Sequence, residues 1–289
     1  MSAMCRLHLI RTISTVCAAA LALAAGCQSM EGLIGGVPKP GARVIGTSIR
    51  GISLEHIVLL FDVEVENPYA ASLPLADLHY SLASAGTKFL EGTVQPTGAI
   101  PARGRQVIQL PATVTFASLF TALKGVKPGA VVAYNAHFTI GVDAPVLGRI
   151  DVPLSKKGEL PVPAVPDVEL SALVVEKLGL DEIRGSAKLQ VRNTNQFALD
   201  LSRLGVNLAL AGKDVGGSRL NQSVNLAPGR TVAVDMPLSF SPRAVGVGLF
   251  NLLKANQIAY ELSGAIEANS RFGALSLPYR HIGNSAIRK

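Results

Sequence analysis

Apolar and polar residues alternate with a period of two along most of the chain. In residues 61–66 a phenylalanine and two valines alternate with three carboxylates. The same alternation returns in 108–116, 132–142, 187–191, 232–240 and 258–266. Strict alternation predicts strands with one buried face and one solvated face. Several such strands at short spacing favour a sandwich of two antiparallel sheets.

Two segments break this alternation. Residues 118–124 and 241–254 carry apolar residues at helical spacing, so each predicts a short helix. Ser241 is placed as the N-cap of the second helix and Pro242 as its first residue. The expected fold is therefore all-β, with one short helix beside the last strands of each sandwich.

The pattern of strands occurs twice in the chain. Residues 61–68 match 187–194, and Pro111 and Tyr134 have counterparts Pro237 and Tyr260, each 126 positions later. A repeat of this length is one domain made twice, because solenoid units are only about 20 to 50 residues long.

The repeat sets the expected domain boundaries. We place the first sandwich at 42–160 and the second at 167–283. Residues 161–166 are rich in proline, which predicts a fairly stiff connector. Residues 284–289 end in Arg-Lys and are expected to form a basic tail.

Residues 1–26 have the pattern of a secretory signal peptide. Arg6 and Arg11 lie in a basic start, and residues 12–25 form an uncharged run of 14 residues. This run is too short to span a bilayer, which needs about 20 residues. Residues 27–41, rich in glycine and proline, are expected to be a flexible tether.

The end of this segment, Leu23-Ala-Ala-Gly-Cys27, resembles a bacterial lipobox. Ala24 replaces the usual leucine, which lies one place further out as Leu23. The resemblance implies cleavage before Cys27 and attachment of diacylglycerol to its thiol. It leaves the mature chain with one cysteine and no internal disulfide. By the same resemblance, Gln28 in place of Asp implies an outer-membrane location, with the protein facing the periplasm.

The charge of the chain is spread over both copies. The formal net charge is +7, but residues 42–160 hold 10 basic and 9 acidic residues, and residues 167–283 hold 12 and 10. A nucleic-acid-binding protein concentrates its basic residues on one face. We therefore expect no nucleic-acid partner, and we expect the membrane to be contacted through the lipid anchor.

Both copies resemble the WHy domain of the late embryogenesis abundant type-2 family, the water-stress and hypersensitive-response proteins. The resemblance rests on a strand ending in Asn67-Pro68, a later strand with proline, a single helix and a closing Tyr…Gly…Pro run. It implies two tandem fibronectin- or immunoglobulin-like antiparallel sandwiches. The second copy departs from the pattern, because 193–195 reads Asn-Thr-Asn where the first copy has Asn-Pro.

The carboxylate row of Asp62, Glu64 and Glu66 is one candidate cation site. Its counterparts in the second copy are Lys188, Gln190 and Arg192, so the row is interpreted as the solvated face of a strand. The opposite charges of the two rows leave open a docking of one face on the other, within a chain or between chains.

We find no pattern of residues that predicts catalysis. The histidines have no metal-ligand spacing, and no serine, cysteine or threonine has a duplicated histidine partner. The expectation is a protein that is not an enzyme and uses no metal or cofactor, apart from the acyl modification of Cys27.

Three functions remain from the sequence. The family resemblance favours a stress protein of the cell envelope that acts during desiccation. An alternative is a carrier that binds lipids or another apolar ligand in a groove between the sheets near each helix, lined by Phe120, Leu123, Phe250 and Leu253. A second alternative is a scaffold that binds another envelope protein through edge strands or charged faces.

Overall fold

The computed structural model describes residues 38–289 except 146, 222, 242, 244 and 245. Cys27 and the whole predicted signal peptide lie outside the described residues. In the first copy the elements are β1 (Gly41–Ile52), β2 (His56–Glu66), β3 (Leu73–Ser84), β4 (Thr87–Val94), β5 (Ala99–Ile100), β6 (Arg105–Thr115), α1 (Phe116–Ala122), β7 (Val131–Ala144) and β8 (Gly148–Pro161).

The second copy repeats this order. Its elements are β9 (Asp167–Leu178), β10 (Ile183–Arg192), β11 (Leu199–Leu210), β12 (Lys213–Leu220), β13 (Val224–Leu226), β14 (Thr231–Phe240), α2 (Val247–Leu252), β15 (Gln257–Ser270) and β16 (Gly273–Arg288). The described part of each copy therefore has eight strands and one short helix, and the prediction of an all-β fold is confirmed.

In the first copy the strands form two antiparallel sheets. One has the order β1-β2-β6, and the other has the order β4-β3-β7-β8 with the short β5 paired to β3. Each copy has its own apolar core. Phe61, Val63 and Val65 are fully buried in the first core, and Ala187, Leu189 and Val191 are fully buried in the second.

The second copy differs from the expected pair of sheets in one respect. Its strands form a continuous sheet of order β12-β11-β15-β16-β9-β10-β14, with β13 paired to β11. The join is a short parallel pairing in which Ala286, Ile287 and Arg288 of β16 lie beside Ala172, Leu173 and Val174 of β9.

The predicted basic tail at 284–289 is therefore corrected. Residues up to Arg288 continue β16, Ser285 and Ile287 are buried, and the Ile287 N–H donates to Asn256 O at 2.9 Å. Burial alternates along these residues, with Ser285 and Ile287 facing inward, and the pairing with β15 and β9 rather than the terminal charge decides the structure.

The helices lie where the sequence predicted them, with different ends. α1 begins at Phe116 and ends at Ala122. α2 begins at Val247, while the predicted N-cap Ser241 precedes Pro242, which lies outside the described residues.

A buried asparagine closes the end of β2 in the first copy. Asn67 is 1% exposed. Its Nδ2 donates to the carbonyls of Ala71 and Ile100 at 2.8 and 3.1 Å, and its Oδ1 accepts the N–H of Tyr69 at 2.9 Å. One side chain thus ties together the loop after β2 and the segment that leads into β6.

Asn193 repeats this arrangement in the second copy. It is fully buried, its Nδ2 donates to Phe197 O and Leu226 O at 2.9 Å each, and its Oδ1 accepts the N–H of Asn195. The partners lie at the same sequence distances as in the first copy. The asparagine therefore maintains this turn in both copies, although the second lacks the proline.

Two of the described edge strands carry an exposed proline in mid-strand. Pro111 lies in β6 and Pro237 in β14, both at the end of the strand order and both exposed. Proline has no N–H to offer another strand, so these edges are poor templates for edge-to-edge association.

The connector is held by the loop that follows Asn193. The Asn195 side chain is 3% exposed, and it accepts the N–H of Ala164 at 2.8 Å and donates to the Ala164 carbonyl at 2.9 Å. An amide that bonds both polar groups of one residue fixes that residue's position. Where the first copy has Tyr69, the second thus has a residue that binds the connector.

The first copy packs closely against the same loop. The Gln196 N–H donates to Gly129 O at 2.7 Å, and the Gln196 Oε1 accepts the N–H of Val131 at 3.0 Å. Gly129 has φ +90°, and a Cβ there would lie 2.7 Å from Thr194 O. Only glycine fits at this position of the junction.

We expect Asn67→Ala and Asn193→Ala each to lower the free energy of unfolding by about 2–4 kcal/mol, because several buried backbone groups lose their partner. Denaturant unfolding measures the loss. Asn269→Ala, at an exposed position of β15, is the matched control and should change stability by less than about 0.5 kcal/mol. Equal effects at buried and exposed positions would refute the structural role.

We expect Gly129→Val to separate the two copies, because its side chain collides with the loop at Thr194. Small-angle scattering should show a larger radius of gyration and a broader distribution of distances. Gly125→Val is the matched control, since Gly125 has φ +89° but no atom within 4 Å of a Cβ. It carries the same backbone strain of about 1–2 kcal/mol without the collision. A scattering profile that Gly129→Val leaves unchanged would contradict this view of the junction.

Candidate functional site

The four predicted groove residues are divided between the two copies. Leu123 follows α1 and Leu253 follows α2, and they are 8% and 0% exposed. Phe120 is 37% exposed, and Phe250 is partly buried with Lys254 Nζ 4.5 Å from its ring centroid. Within each copy the leucine belongs to the core and the phenylalanine lies at the surface.

The carboxylate row of β2 is paired within its own copy. Glu64 bonds Arg43 at 2.7 Å, Glu66 lies 3.4 Å from Arg105, and Asp62 accepts from Gln109. On the corresponding strand of the second copy, Lys188 pairs with Asp235 at 3.0 Å. The described contacts of both rows are thus ladders of cross-strand pairs, and the structure does not bring the two rows together.

The described part of the chain contains neither a cluster of metal-binding side chains nor a membrane-spanning helix. Across 38–289, outside the five omitted positions, no three or more His, Cys, Asp or Glu side chains come close enough to hold a metal ion. The same residues include no helix with the length and apolarity that crossing a membrane requires.

Two concave surfaces lie at equivalent places in the two copies. In the first copy a groove of about 430 Å³ crosses the outer face of β4, β3 and β7. In the second, a groove of about 660 Å³ crosses the outer face of β12, β11 and β15. His79 and Gly205 lie at equivalent positions, as do Glu91 and Gly217.

Polar and charged side chains line the groove of the first copy. His79 Nδ1 lies 2.8 Å from Thr93 Oγ1 on the neighbouring strand, and Lys88 bonds Glu91 at 2.6 Å. The hydrogen bond and the ion pair with Lys88 lower the pKa of Glu91. These contacts pair polar side chains of the groove with one another.

The groove of the second copy has a floor of small residues. Gly205, Gly217 and Ala265 replace the His79, Glu91 and Thr139 of the first copy. Because Gly205 and Ala265 are directly paired across β11 and β15, the floor is a continuous strip of backbone.

Arginine and amide groups form the rim of this groove. Arg203 Nη1 bonds Glu267 at 2.9 Å, and Arg219 lies opposite Gly205 on β12. Asn207 is exposed beside Gly217. All of these residues are on strands, which hold them more rigidly than loops do.

The sequence analysis missed this groove, and the signal that could have indicated it is glycine within a strand, which marks a bulge or a close backbone approach. A Cβ at Gly264 would collide with Gly205 O, so β11 and β15 approach closely here. The sequence pattern alone did not predict the groove, because its walls come from three strands whose register only the fold sets.

A smaller cleft of about 340 Å³ lies where the two copies meet. It is lined by residues of both, including Ile49 and Tyr134 of the first copy and Phe272 of the second. Arg271 bonds Glu159 across it at 2.9 Å and covers the Phe272 ring at 4.4 Å.

Comparison with protein families identifies the repeat. A family model described as late embryogenesis abundant protein, LEA_2, matches residues 62–158 and again residues 188–283. The chain belongs to the LEA_2 family. The resemblance to the late embryogenesis abundant type-2 proteins is thereby confirmed for both copies.

Curated LEA_2 relatives match about one copy's length. The chain is 30% identical over 132 residues to the desiccation protectant protein Lea14 homolog of Glycine max, covering 46% of this chain and 87% of the relative. It is 29% identical over 135 residues to desiccation-related protein PCC27-45 of Craterostigma plantagineum, covering 47% and 89%.

A solved structure from Arabidopsis thaliana, AT1g01470, is 26% identical to this LEA_2 chain. The match covers 46% of this chain and 87% of that one, with a TM-score of 0.38.

Tyr134 of the first LEA_2 copy lies under strand β8. It pairs across strands with Gly158, whose missing side chain leaves room for the tyrosine ring. Tyr260 and Gly283 repeat the pair in the second copy. Burial raises the pKa of Tyr134 to about 12. Burial also raises the pKa of Tyr279, a separate tyrosine on β16.

We expect stability to fall as the pH rises from about 10 to 12. The unfolded chain releases the Tyr134 proton near pH 10, whereas the folded chain keeps it until about 12. The folded state therefore holds more protons in this interval. The stabilisation is fully present below pH 10 and is lost progressively as the pH rises to about 12. Denaturant unfolding at a series of pH values should show a shallower fall for Tyr134→Phe. A slope equal to that of the wild type would contradict the assignment.

Proposed function

We propose that this protein protects the bacterial cell envelope during water loss, as a lipid-anchored protein without catalytic activity. The observation that carries the proposal is the LEA_2 match to both copies, together with curated relatives that are named for desiccation. Homologues with these names support a protective role in stress.

The anchor is part of the proposal. Cys27, with its diacylglycerol, would hold the protein on the outer membrane facing the periplasm, and residues 28–40 would span the gap to β1. Anchoring keeps the protein beside the surface that drying damages, at a high local concentration.

Two features of the fold suit such a role. The outward faces carry cross-strand ion pairs such as Arg43–Glu64 and Lys188–Asp235, which keep the surface polar. Pro111 and Pro237 weaken the sheet edges as templates for association. Water loss concentrates every protein in the envelope, and a protectant must not aggregate when that happens.

The carrier hypothesis finds less support. Among the described residues, the gap beside Leu253 has a volume of about 10 Å³. Ligand pockets in proteins usually have volumes of about 300–1,000 Å³. An acyl chain would therefore require the sheets to separate near α2.

We expect a strain that lacks the protein to lose viability faster than the wild type during drying. Reintroduction of the wild-type chain should restore survival, whereas Cys27→Ser should restore it less, because the protein is no longer held at the membrane. Viable counts after controlled drying measure the effect, and expression of each variant is checked by immunoblot.

Two other results would redirect the proposal. Survival of the deletion strain equal to that of the wild type would refute the protective role. Lipid bound to the purified, unacylated protein in mass spectrometry would favour the carrier, and a specific protein captured with it would favour the scaffold.

A further inference from the structure

The widened groove of the second copy is a surface for which neither the fold nor the protective role provides a use. Its equivalent in the first copy is lined by the side chains of His79 and Glu91. In the second copy, glycine at positions 205 and 217 removes both side chains, and the groove grows from about 430 to about 660 Å³. The repeat thus provides an internal comparison between a narrower and a wider form of one surface.

The floor of the open groove is flat and weakly apolar. Gly205 and Ala265 lie side by side on adjacent strands, and they present only Cα hydrogens and one methyl group. The two residues are paired across the strands, and the Gly205 carbonyl also accepts a hydrogen bond from the Tyr279 hydroxyl at 3.0 Å. A ring whose C–H groups form one face can lie on such a strip without leaving polar groups of the floor unsatisfied.

The rim provides both hydrogen-bond donors and hydrogen-bond acceptors. Arg203 and Arg219 donate, Glu267 accepts, and the Asn207 amide does both. The bond of 2.9 Å between Arg203 and Glu267 orients both groups in advance. A ligand that meets all of them needs several hydroxyl groups arranged around a ring.

The mixed charge of the rim argues against other ligand classes. An anion would encounter the Glu267 carboxylate, and a cation would encounter two guanidinium groups. An apolar ligand would remove water from charged groups without replacing their hydrogen bonds, which is unfavourable. A neutral polyhydroxylated ring avoids all three penalties.

We propose that the groove formed by β11, β12 and β15 of the second copy binds a saccharide, with the ring on the Gly205–Ala265 strip and its hydroxyls on Arg203, Asn207, Arg219 and Glu267. The groove is open to solvent, so the affinity for a single sugar is weak, with a dissociation constant on the order of 1–10 mM. The proposal is independent of the protective role.

The same chemistry occurs in free sugars and in the glycan chains of a cell envelope. Titration of the full-length protein with sucrose and, separately, with a linear tetramer of N-acetylglucosamine distinguishes the two. Backbone amide shifts in two-dimensional NMR report the site. We expect shifts confined to 203–207, 217–219 and 263–267, with tighter binding of the tetramer if a glycan chain is the ligand and of sucrose if a free sugar is.

Gly205→His tests the groove directly, because it introduces the side chain that narrows the equivalent groove of the first copy. A Cβ at Gly205 has Ala265 O as its nearest neighbour, at 3.5 Å, so the backbone can accept the change. We expect binding to weaken by at least about tenfold. Ala209→His is the matched control, since it adds the same side chain to the same face of β11 outside the groove lining, and it should retain binding.

Three results would overturn the proposal. Uniform shifts over both copies would indicate general solvation by sugar. Shifts of the groove amides with inorganic phosphate and none with either sugar would indicate an anion site. Unchanged sugar binding by Gly205→His, with the fold intact by circular dichroism, would place the sugar elsewhere. None of these results bears on survival during drying, so this proposal and the protective role fail separately.

Discussion

The buried asparagine at the end of β2 and of β10 is the constraint on which each copy depends. Where a strand leaves the core and the chain turns back towards the next sheet, several backbone groups lose their ladder partners. Asn67 and Asn193 bind these groups with one amide each. Without a partner, each buried carbonyl or N–H would cost about 1–3 kcal/mol, so the asparagine determines whether the turn can be buried at all.

The junction between the copies is a modification of the same turn. With Asn193 holding the turn, the residues after it are free to take another role. Asn195 and Gln196 bind the connector and the first copy, and Gly129 allows the close approach. The first copy has Tyr69 and Ala70 at these positions, which offer no comparable amides. The turn thus stabilises a domain in one copy and, in the other, also fixes how two domains are joined.

Much of the fold could be predicted from the sequence, because burial on a pleated strand imposes a period of two. The alternation in 61–66 and 132–142 predicted β2 and β7 and the core residues they carry. The terminal charges predicted a tail at 284–289, whereas pairing with β15 and β9 extends β16 to Arg288. The ends of the helices were less predictable, since α1 begins directly where β6 leaves the ladder, whereas α2 begins at Val247, well after β14 ends at Phe240.

The candidate groove was beyond the reach of the sequence pattern. Gly205, Gly217 and Ala265 are separated by up to 60 residues, and they form one floor only because antiparallel register places them side by side. For the apolar residues near the helices, the sequence pattern predicted a groove lining but could not tell which side chains are exposed. In the structure Leu253 faces the core and Phe120 reaches solvent.

The sequence by itself determined the duplicated all-β domain and the family, because strand periodicity and the 126-residue repeat are local and countable properties. Only the tertiary structure decided three further features: how the two copies are joined, which face of a sheet is concave, and which polar groups pair. Each of these depends on register and on distances between strands that are far apart in the chain, and a linear pattern contains neither.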